Sequence, residues 1–360
     1  MKEVLVQVPN ASYCIYLGAE AIEQLPKILS ELNPSGCFIV TNTTVGPLYL
    51  KEVVALCEKV CRTTEVVVPD GEQFKRWPTL SMILEALASG GADRKSVIIA
   101  LGGGVVGDLA GFAAAIFMRG IRFIQVPTTL LAMVDSSVGG KTGMNMAAGK
   151  NLIGAFHQPK AVIADSNFLK TLPPREVAAG IGEIIKHGLL ADKDYFESLE
   201  AVIDRLKALE AQTVAEVVGR SAEIKASVVS RDEKEKGERA KLNLGHTFAH
   251  AIEKLTGYGT WLHGEAVGVG LVLAARASER LGKISAEDVE RVKTLVDRAG
   301  LPVRIDGLSA QAAIEAMRGD KKSTRGVPHF ILLERIGTSV IEEVPEELIR
   351  SVLLEEGYLP

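Results

Sequence analysis

The residues best suited to chemistry fall in a few short stretches. Asn243-Leu244-Gly245-His246-Thr247-Phe248-Ala249-His250 sets two histidines at i, i+4, neighbours on one helix face, and His263-Gly264-Glu265 opens a further helix. Three of the six histidines therefore lie between positions 246 and 263. A metal such as Zn²⁺ takes neutral imidazole and carboxylate oxygen, and a catalytic site leaves positions open. Thr247 and Phe248 replace the Glu and its neighbour of HExxH, which removes the metalloprotease pattern. Helix-capping or core histidines are the bland alternative. Upstream, Ile181-Gly182-Glu183-Ile184-Ile185-Lys186-His187 puts Glu183, Lys186 and His187 on one helix side at i, i+3, i+4. Apolar residues between them argue against a simply solvated side, although a surface ion pair is the common meaning of such spacing.

A second group of motifs suits phosphate. Leu101-Gly102-Gly103-Gly104-Val105-Val106-Gly107-Asp108 follows an apolar strand and opens a helix, so backbone N–H groups and the helix N-terminus can face an anion. The spacing matches GxGxxG, yet no acidic residue ends the next strand, Phe123–Val126, so the usual ribose partner is missing. Phosphate or dinucleotide binding by a different geometry is one reading, and a tight turn with close helix–strand packing is the other. Pro127 to Gly143 is dense in hydroxyls and glycine and contains Lys141, a composition that holds phosphate oxygens or a polyol. Its apolar run Leu130–Val134 argues for partial burial over a flexible surface loop, and Lys150-Asn151 adds a cation and an amide. The charged run Arg231 to Arg239 would ordinarily be a solvated loop, but its place before the histidines makes Arg239 and Asn243 candidates for substrate contact.

These side chains need a scaffold. Cys37–Thr41, Glu65–Val68, Ser96–Leu101 and Phe123–Val126 read as strands. Gly46–Val60, Pro78–Ala88 and about Val105–Phe117 read as helices between them. Alternation with continuously apolar strands predicts a parallel sheet covered on both faces. After about residue 165 helical periodicity dominates to Leu301, with a short hairpin near Phe330–Val340. The expected fold is α/β: an N-terminal parallel-sheet nucleotide-binding domain, 1–165, and a C-terminal all-α domain, 166–360.

Length and composition agree. The 360 residues exceed one typical core, and 47% apolar with 24% charged residues is ordinary for a soluble globular chain. Lys plus Arg number 41 against 45 Asp plus Glu, so no basic excess drives nucleic-acid binding, and cations for an anionic substrate must be concentrated locally. The start Met1-Lys2-Glu3-Val4 has no apolar core followed by a small-residue cleavage site, so no signal peptide is expected there, and the nearly uncharged stretch Val97–Phe117 holds five glycines and Asp108, unlike a membrane helix. Cys14, Cys37, Cys57 and Cys61 form no CxxC pair, with Cys57 and Cys61 on one helix face. Reduced core thiols in a cytoplasmic setting are expected.

In order and spacing, the motifs resemble the 3-dehydroquinate synthase family of sugar phosphate cyclases. The match runs through Leu101–Asp108, Pro127–Lys141, Gly149–Gly154, Gly182–Lys186, Asp232-Glu233, Asn243–His250, His263–Glu265 and Asp320-Lys321-Lys322. The resemblance implies conversion of 3-deoxy-D-arabino-heptulosonate 7-phosphate to 3-dehydroquinate and phosphate in the shikimate pathway. It implies catalytic NAD⁺ and one divalent ion, Zn²⁺ or Co²⁺. The steps implied are transient oxidation, phosphate elimination, re-reduction and intramolecular aldol closure, a carbon–oxygen lyase reaction overall. By the resemblance Glu183, His246 and His263 are metal ligands. Lys141, Asn151, Asn243, His250 and Lys321 (in preference to Lys322) form a phosphate cradle, with Arg119 entering from a neighbouring subunit. Lys225 and Arg239 grip the substrate carboxylate, Lys186 contacts hydroxyls, and Asp135 assists proton transfer. Asn42, Glu72, Lys75, Gly103, Gly104, Val105, Asp108, Thr128, Thr129, Asp135, Lys141, Lys150, Phe168, Thr171, Leu172 and Glu176 line the cofactor. A homodimer is implied, with neither nucleic acid nor membrane as partner. A cyclase of the 2-deoxy-scyllo-inosose synthase kind and a metal-dependent polyol or glycerol-phosphate dehydrogenase are the competing readings. The first has a substrate without a carboxylate, which the Lys225 and Arg239 pair disfavours.

Overall fold

The structure, a computed structural model, describes residues 1–9, 11–257, 259–318 and 329–360. Two compact units result: Met1–Leu172 with Val214–Lys234, and Pro173–Thr213 with Glu235–Pro360.

The first unit is built on strands β1 (Lys2–Val8), β2 (Ala11–Gly18), β3 (Cys37–Asn42), β4 (Thr63–Val68), β5 (Val97–Gly102), β6 (Arg122–Pro127) and, later in the chain, β9 (Ala161–Asp165). They make one seven-stranded sheet in the order β1-β2-β9-β6-β5-β3-β4. All neighbours are parallel except β1 and β2, an antiparallel hairpin that adds an edge to the expected parallel sheet. The hairpin is written as period-two alternation: Val4, Val6 and Val8 are buried while Glu3, Leu5 and Gln7 face out. Strands β3 and β5 are buried at every position, as strands covered on both faces must be. Helices α1 (Leu25–Leu32), α2 (Gly46–Glu58), α3 (Trp77–Ser89) and α4 (Gly104–Ile116) are the crossovers.

Between β6 and β9 the sequence reading saw only a hydroxyl-rich loop. The chain instead makes a wide helical turn over Ala132–Ser136 and then a two-stranded sheet, β7 (Lys141–Met146) against β8 (Gly149–Phe156). Glycines make this hairpin possible, because a Cβ on Gly154 would lie 2.1 Å from the Thr142 carbonyl oxygen.

Two expectations need correction. The units are not divided by a single cut at 165/166. Most of α7 (Ala211–Arg231) groups with the first unit, held by Lys2 to Glu223 at 2.6 Å and by Lys225 Nζ to the Asp135 carbonyl at 2.5 Å. Periodicity marks α7 as a helix but cannot say which core its face meets. Cys57 and Cys61 do not share a helix face either, since α2 ends at Glu58. Cys61 instead lies with its Sγ 3.1 Å from that of Cys37, and all four thiols are free.

The second unit holds α5 (Pro174–Ala191), α6 (Lys193–Lys207), α8 (His246–Thr256), α9 (His263–Arg280), α10 (Ala286–Arg298), α11 (Ala310–Arg318) and α12 (Glu346–Glu355). Its hairpin, β10 (His329–Arg335) with β11 (Thr338–Glu343), lies where one was expected. Small residues set its helix spacing. A Cβ on Gly270 of α9 would fall 2.2 Å from the Gly245 carbonyl before α8. Among the described residues, no helix is long and apolar enough to cross a membrane.

Candidate active site

In the second unit three elements converge. Glu183 sits mid-way along α5, while His246 and His263 are the first residues of α8 and α9. Gly245, at φ +77°, turns the chain into α8 in a conformation that a side chain would strain. The donor atoms of the three residues all lie within 4.8 Å of one another. Glu183 Oε1 is 3.5 Å from His246 Nε2 and 3.4 Å from His263 Nε2. A tetrahedral ion with bonds of about 2.1 Å has ligand–ligand edges of about 3.4 Å, so the spacing suits such an ion.

Ring orientation is fixed from behind. The Leu244 carbonyl lies 3.1 Å from His246 Nδ1, so that nitrogen donates and Nε2 keeps its lone pair towards Glu183. Glu183 is fully buried, and its Oε2 pairs with the buried ammonium of Lys186. Burial disfavours the Glu183 charge, but Lys186 and the two imidazoles outweigh it and hold its carboxyl well below the usual range. Burial, reinforced by Lys186, holds His246 well below the ordinary histidine value, leaving it neutral as a ligand must be. The surface-ion-pair reading of Glu183 and Lys186 fails, because those two and His187 are all buried. Two imidazoles, one carboxylate and a buried polar wall fit a divalent ion.

Other expected residues belong to the same unit. His250, one turn beyond His246, meets it edge-on at 5.6 Å between ring centroids. Arg239 is 2% exposed, far from a solvated loop. Asn243 Nδ2 donates to Glu235 Oε1 at 2.8 Å and to the Ala240 carbonyl at 2.9 Å. Glu176 lies in the first turn of α5. Lys321 and Lys322 lie outside the described residues.

All the expected cofactor residues but Glu176 belong to the first unit, and several follow the carboxyl ends of its strands. Gly103 caps α4, and a Cβ there would stand 3.1 Å from Thr129 Cγ2; one on Gly104 would stand 3.0 Å from Ser136 Oγ. Gly107 and Gly111 serve packing, since a Cβ on them would meet Gln125 at 2.8 Å and Thr142 at 2.5 Å. The motif is thus both an open turn, continuing through Val105, and a close helix–strand contact. Thr128 beside it buries a hydroxyl oxygen with no hydrogen-bond partner, an acceptor or donor suited to a ligand.

Lys75 is buried and joins two expected groups, reaching Asp108 at 2.5 Å and Asn151 Oδ1 at 2.6 Å. Burial opposes its charge, but Asp108 and Glu72 raise its pKa; burial also pushes Asp108 up against the pull of Lys75. Asn151, at φ +50°, donates its backbone N–H to Asn145 Oδ1 at 2.9 Å, and Asn145 Nδ2 donates to Glu72 Oε1 at 2.7 Å. The Asn145 amide thus bridges Asn151 and Glu72. The expected phosphate residue Asn151 is therefore joined to the expected cofactor residues Lys75, Glu72 and Asp108. Lys141 starts β7 exposed, and Lys150 follows Gly149 at the start of β8.

Asn42 ends β3, donating to Asp70 at 2.6 Å and accepting from the Val45 N–H at 2.8 Å. Phe168 packs on Tyr49 at 4.5 Å, and the Tyr49 hydroxyl meets Thr171 at 2.5 Å; Leu172 closes that turn through Leu169. Asp135 is bound at both its carbonyl and its carboxylate by the ammonium of Lys225. Lys225 and Arg239, expected as one pair, belong to different units. Arg119 is exposed and follows Met118 in a left-handed pair, φ +49° and +68°, that carries it away from α4.

Asn145 and Glu253 escaped the sequence reading. Asn145 has no local signal, being one polar residue in a strand. Glu253 had one: with His246 and His250 it makes an i, i+4, i+7 stripe.

The chain matches known proteins along most of its length. Residues 65–179 match the family model for the 3-dehydroquinate synthase N-terminal region and 180–323 that for the C-terminal region. The chain is 50% identical to a 3-dehydroquinate synthase of Nitrosospira multiformis, over 98% of this chain and 97% of that one. Among solved structures it is similar to 2-deoxy-scyllo-inosose synthase complexed with carbaglucose-6-phosphate, NAD⁺ and Co²⁺. That likeness has TM-score 0.90 and 27% identity, covering 99% of this chain and 100% of the other. It is also similar to 2-epi-5-epi-valiolone synthase from Streptomyces hygroscopicus subsp. jinggangensis with NAD⁺ and Zn²⁺ bound, with TM-score 0.89 and 26% identity over 97% and 98% of the two chains.

Proposed function

The chain belongs to the 3-dehydroquinate synthase family, and from that premise we propose that it converts 3-deoxy-D-arabino-heptulosonate 7-phosphate to 3-dehydroquinate and inorganic phosphate. The observation that carries the reading is the buried Glu183 facing the two Nε2 atoms of His246 and His263, a ligand set suited to Zn²⁺ or Co²⁺. When bound, the ion supplies Lewis acidity towards a vicinal diol, and NAD⁺ supplies a hydride acceptor that later returns the hydride, leaving no net redox change.

The chain's own residues bind and orient. Lys186, held beside Glu183, contacts substrate hydroxyls without leaving a buried charge unpaired. Asp135 orients the hydroxyl end and moves protons, with its carboxylate held by Lys225. Lys225 and Arg239 receive the substrate carboxylate, for which a planar guanidinium is well shaped. Lys141, Asn151, Asn243, His250 and Lys321 receive the phosphate. That phosphate can itself take the C6 proton as it departs, so the protein needs no dedicated base there. Asn42, Glu72, Lys75, Gly103, Gly104, Val105, Asp108, Thr128, Thr129, Lys150, Phe168, Thr171, Leu172 and Glu176 line the nucleotide. The reading includes a lyase acting in a cytoplasmic, reducing setting, supported by four free thiols, and a homodimer in which the exposed Arg119 serves its neighbour. The domain assignment is of nucleotide to the sheet unit and of metal to the helical unit.

Phosphate release with two sugars tests it. The heptulosonate 7-phosphate should yield one phosphate per molecule while nicotinamide absorbance stays flat. Turnover of glucose 6-phosphate alone would move the assignment to the inosose synthase, and NADH accumulation would move it to a dehydrogenase.

A further inference from the structure

The two imidazoles that face Glu183 are anchored in different ways. His246 Nδ1 is held by a backbone carbonyl, that of Leu244, which no side-chain substitution removes. His263 Nδ1 instead faces Glu253 Oε1 at 3.4 Å, while its Nε2 stands at the same distance from Glu183 Oε1. Glu253 is 3% exposed on α8, two turns beyond His246 and on the same face as His250. A carboxylate is buried at this depth only with a partner. An imidazole donates from one nitrogen and accepts or coordinates through the other, so an acceptor behind Nδ1 leaves the lone pair on Nε2.

We propose that Glu253 is a positioning residue for the metal: it holds the tautomer and tilt of His263 and adds a second carboxylate charge to a site where Lys186 already offsets that of Glu183. The proposal rests on the metal reading of Glu183, His246 and His263. Glu253 does not itself reach the reacting atoms. Its effect passes through His263, so it sets how tightly the ion is held.

The test uses the full chain stripped of metal by a chelator and titrated with Zn²⁺ against a chromophoric chelator. The parent is compared with Glu253→Ala, Glu253→Gln and His246→Ala. Zn²⁺ affinity should fall by about 10- to 100-fold in Glu253→Ala, and by less in Glu253→Gln, whose amide oxygen still accepts from Nδ1 but carries no charge. The visible absorption of the Co²⁺-loaded protein should shift in both Glu253 variants, while NAD⁺ affinity, governed by the sheet unit, stays unchanged. If Glu253→Ala fails to fold, the isosteric Glu253→Gln decides. Parent-like Zn²⁺ affinity and Co²⁺ absorption in the Glu253 variants would overturn the proposal, even with a lowered melting temperature, provided that His246→Ala still loses the metal. Equal Zn²⁺ binding by the parent and His246→Ala would instead overturn the metal reading, and this role with it.

Discussion

Gly264 lies directly on Ala179: a Cβ added to Gly264 would stand 2.0 Å from the Ala179 carbonyl oxygen and 2.5 Å from its Cα. This backbone contact joins α9 to α5, next to His263 on one helix and four residues before Glu183 on the other. Glycine at this point is therefore a condition for bringing imidazole to carboxylate. Gly264→Ala must push the helices apart, at about 1–3 kcal/mol for an overpacked contact. Thermal unfolding should move down and Zn²⁺ affinity should weaken in the same variant. A variant that melts and binds Zn²⁺ like the parent would show that α9 can take the methyl without moving.

Removing a ligand should act like removing the ion. His246→Ala or chelation is expected to lower phosphate release by about 10³-fold, the scale of the several kcal/mol that a Lewis acid supplies. Added Zn²⁺ or Co²⁺ should restore the chelated parent but not the variant. Full activity in His246→Ala would remove the metal from the reaction.

Lys225 and Asp135 should behave as one unit. Deleting either removes an opposite charge from a partly buried contact, so Lys225→Met and Asp135→Asn should each destabilise, and the double variant less than their sum. A double-mutant cycle in denaturant is expected to give a coupling of about 0.5–3 kcal/mol. Simple additivity would mean that the contact contributes nothing.

Acid should loosen the start of α9 through Glu265. Its carboxylate accepts from Arg175 at 2.6 and 2.7 Å and from the Leu262 N–H at 2.8 Å. Partial burial works against the charge, but Arg175 and the Leu262 N–H outweigh it and hold Glu265 below the usual 4.5. A depressed folded value contributes stability that is complete above 4.5 and is lost as pH falls through that lower value. The melting-temperature gap between the parent and Glu265→Gln should be constant at neutral pH and close below 4.5. A gap that persists unchanged into acid would show that the charge contributes nothing.

Much of the protein was legible in one dimension. Apolar runs identified β3, β5 and β6, and the strand–helix rhythm identified the covered sheet, because burial on two faces excludes polar residues locally. Side-chain chemistry and helical spacing marked the histidine cluster as a metal candidate, since few other residue types can hold a divalent ion, and the family resemblance added Glu183 to His246 and His263. What escaped depends on which face meets which. The alternation in β1 and β2 is present in the sequence but is short, and the β7–β8 hairpin is hidden by its glycines, whose use is a close approach to a distant backbone.

The sequence by itself determined the periodicities, the donor types and their order, because those follow from local backbone geometry and from what each side chain can bind. Only the tertiary structure decided that α7 joins the sheet unit, that Asn151 rests on Lys75, and that Glu253 stands behind His263. Those relations come from packing between segments far apart in the chain, where a helical stripe records that a face is covered and not by what.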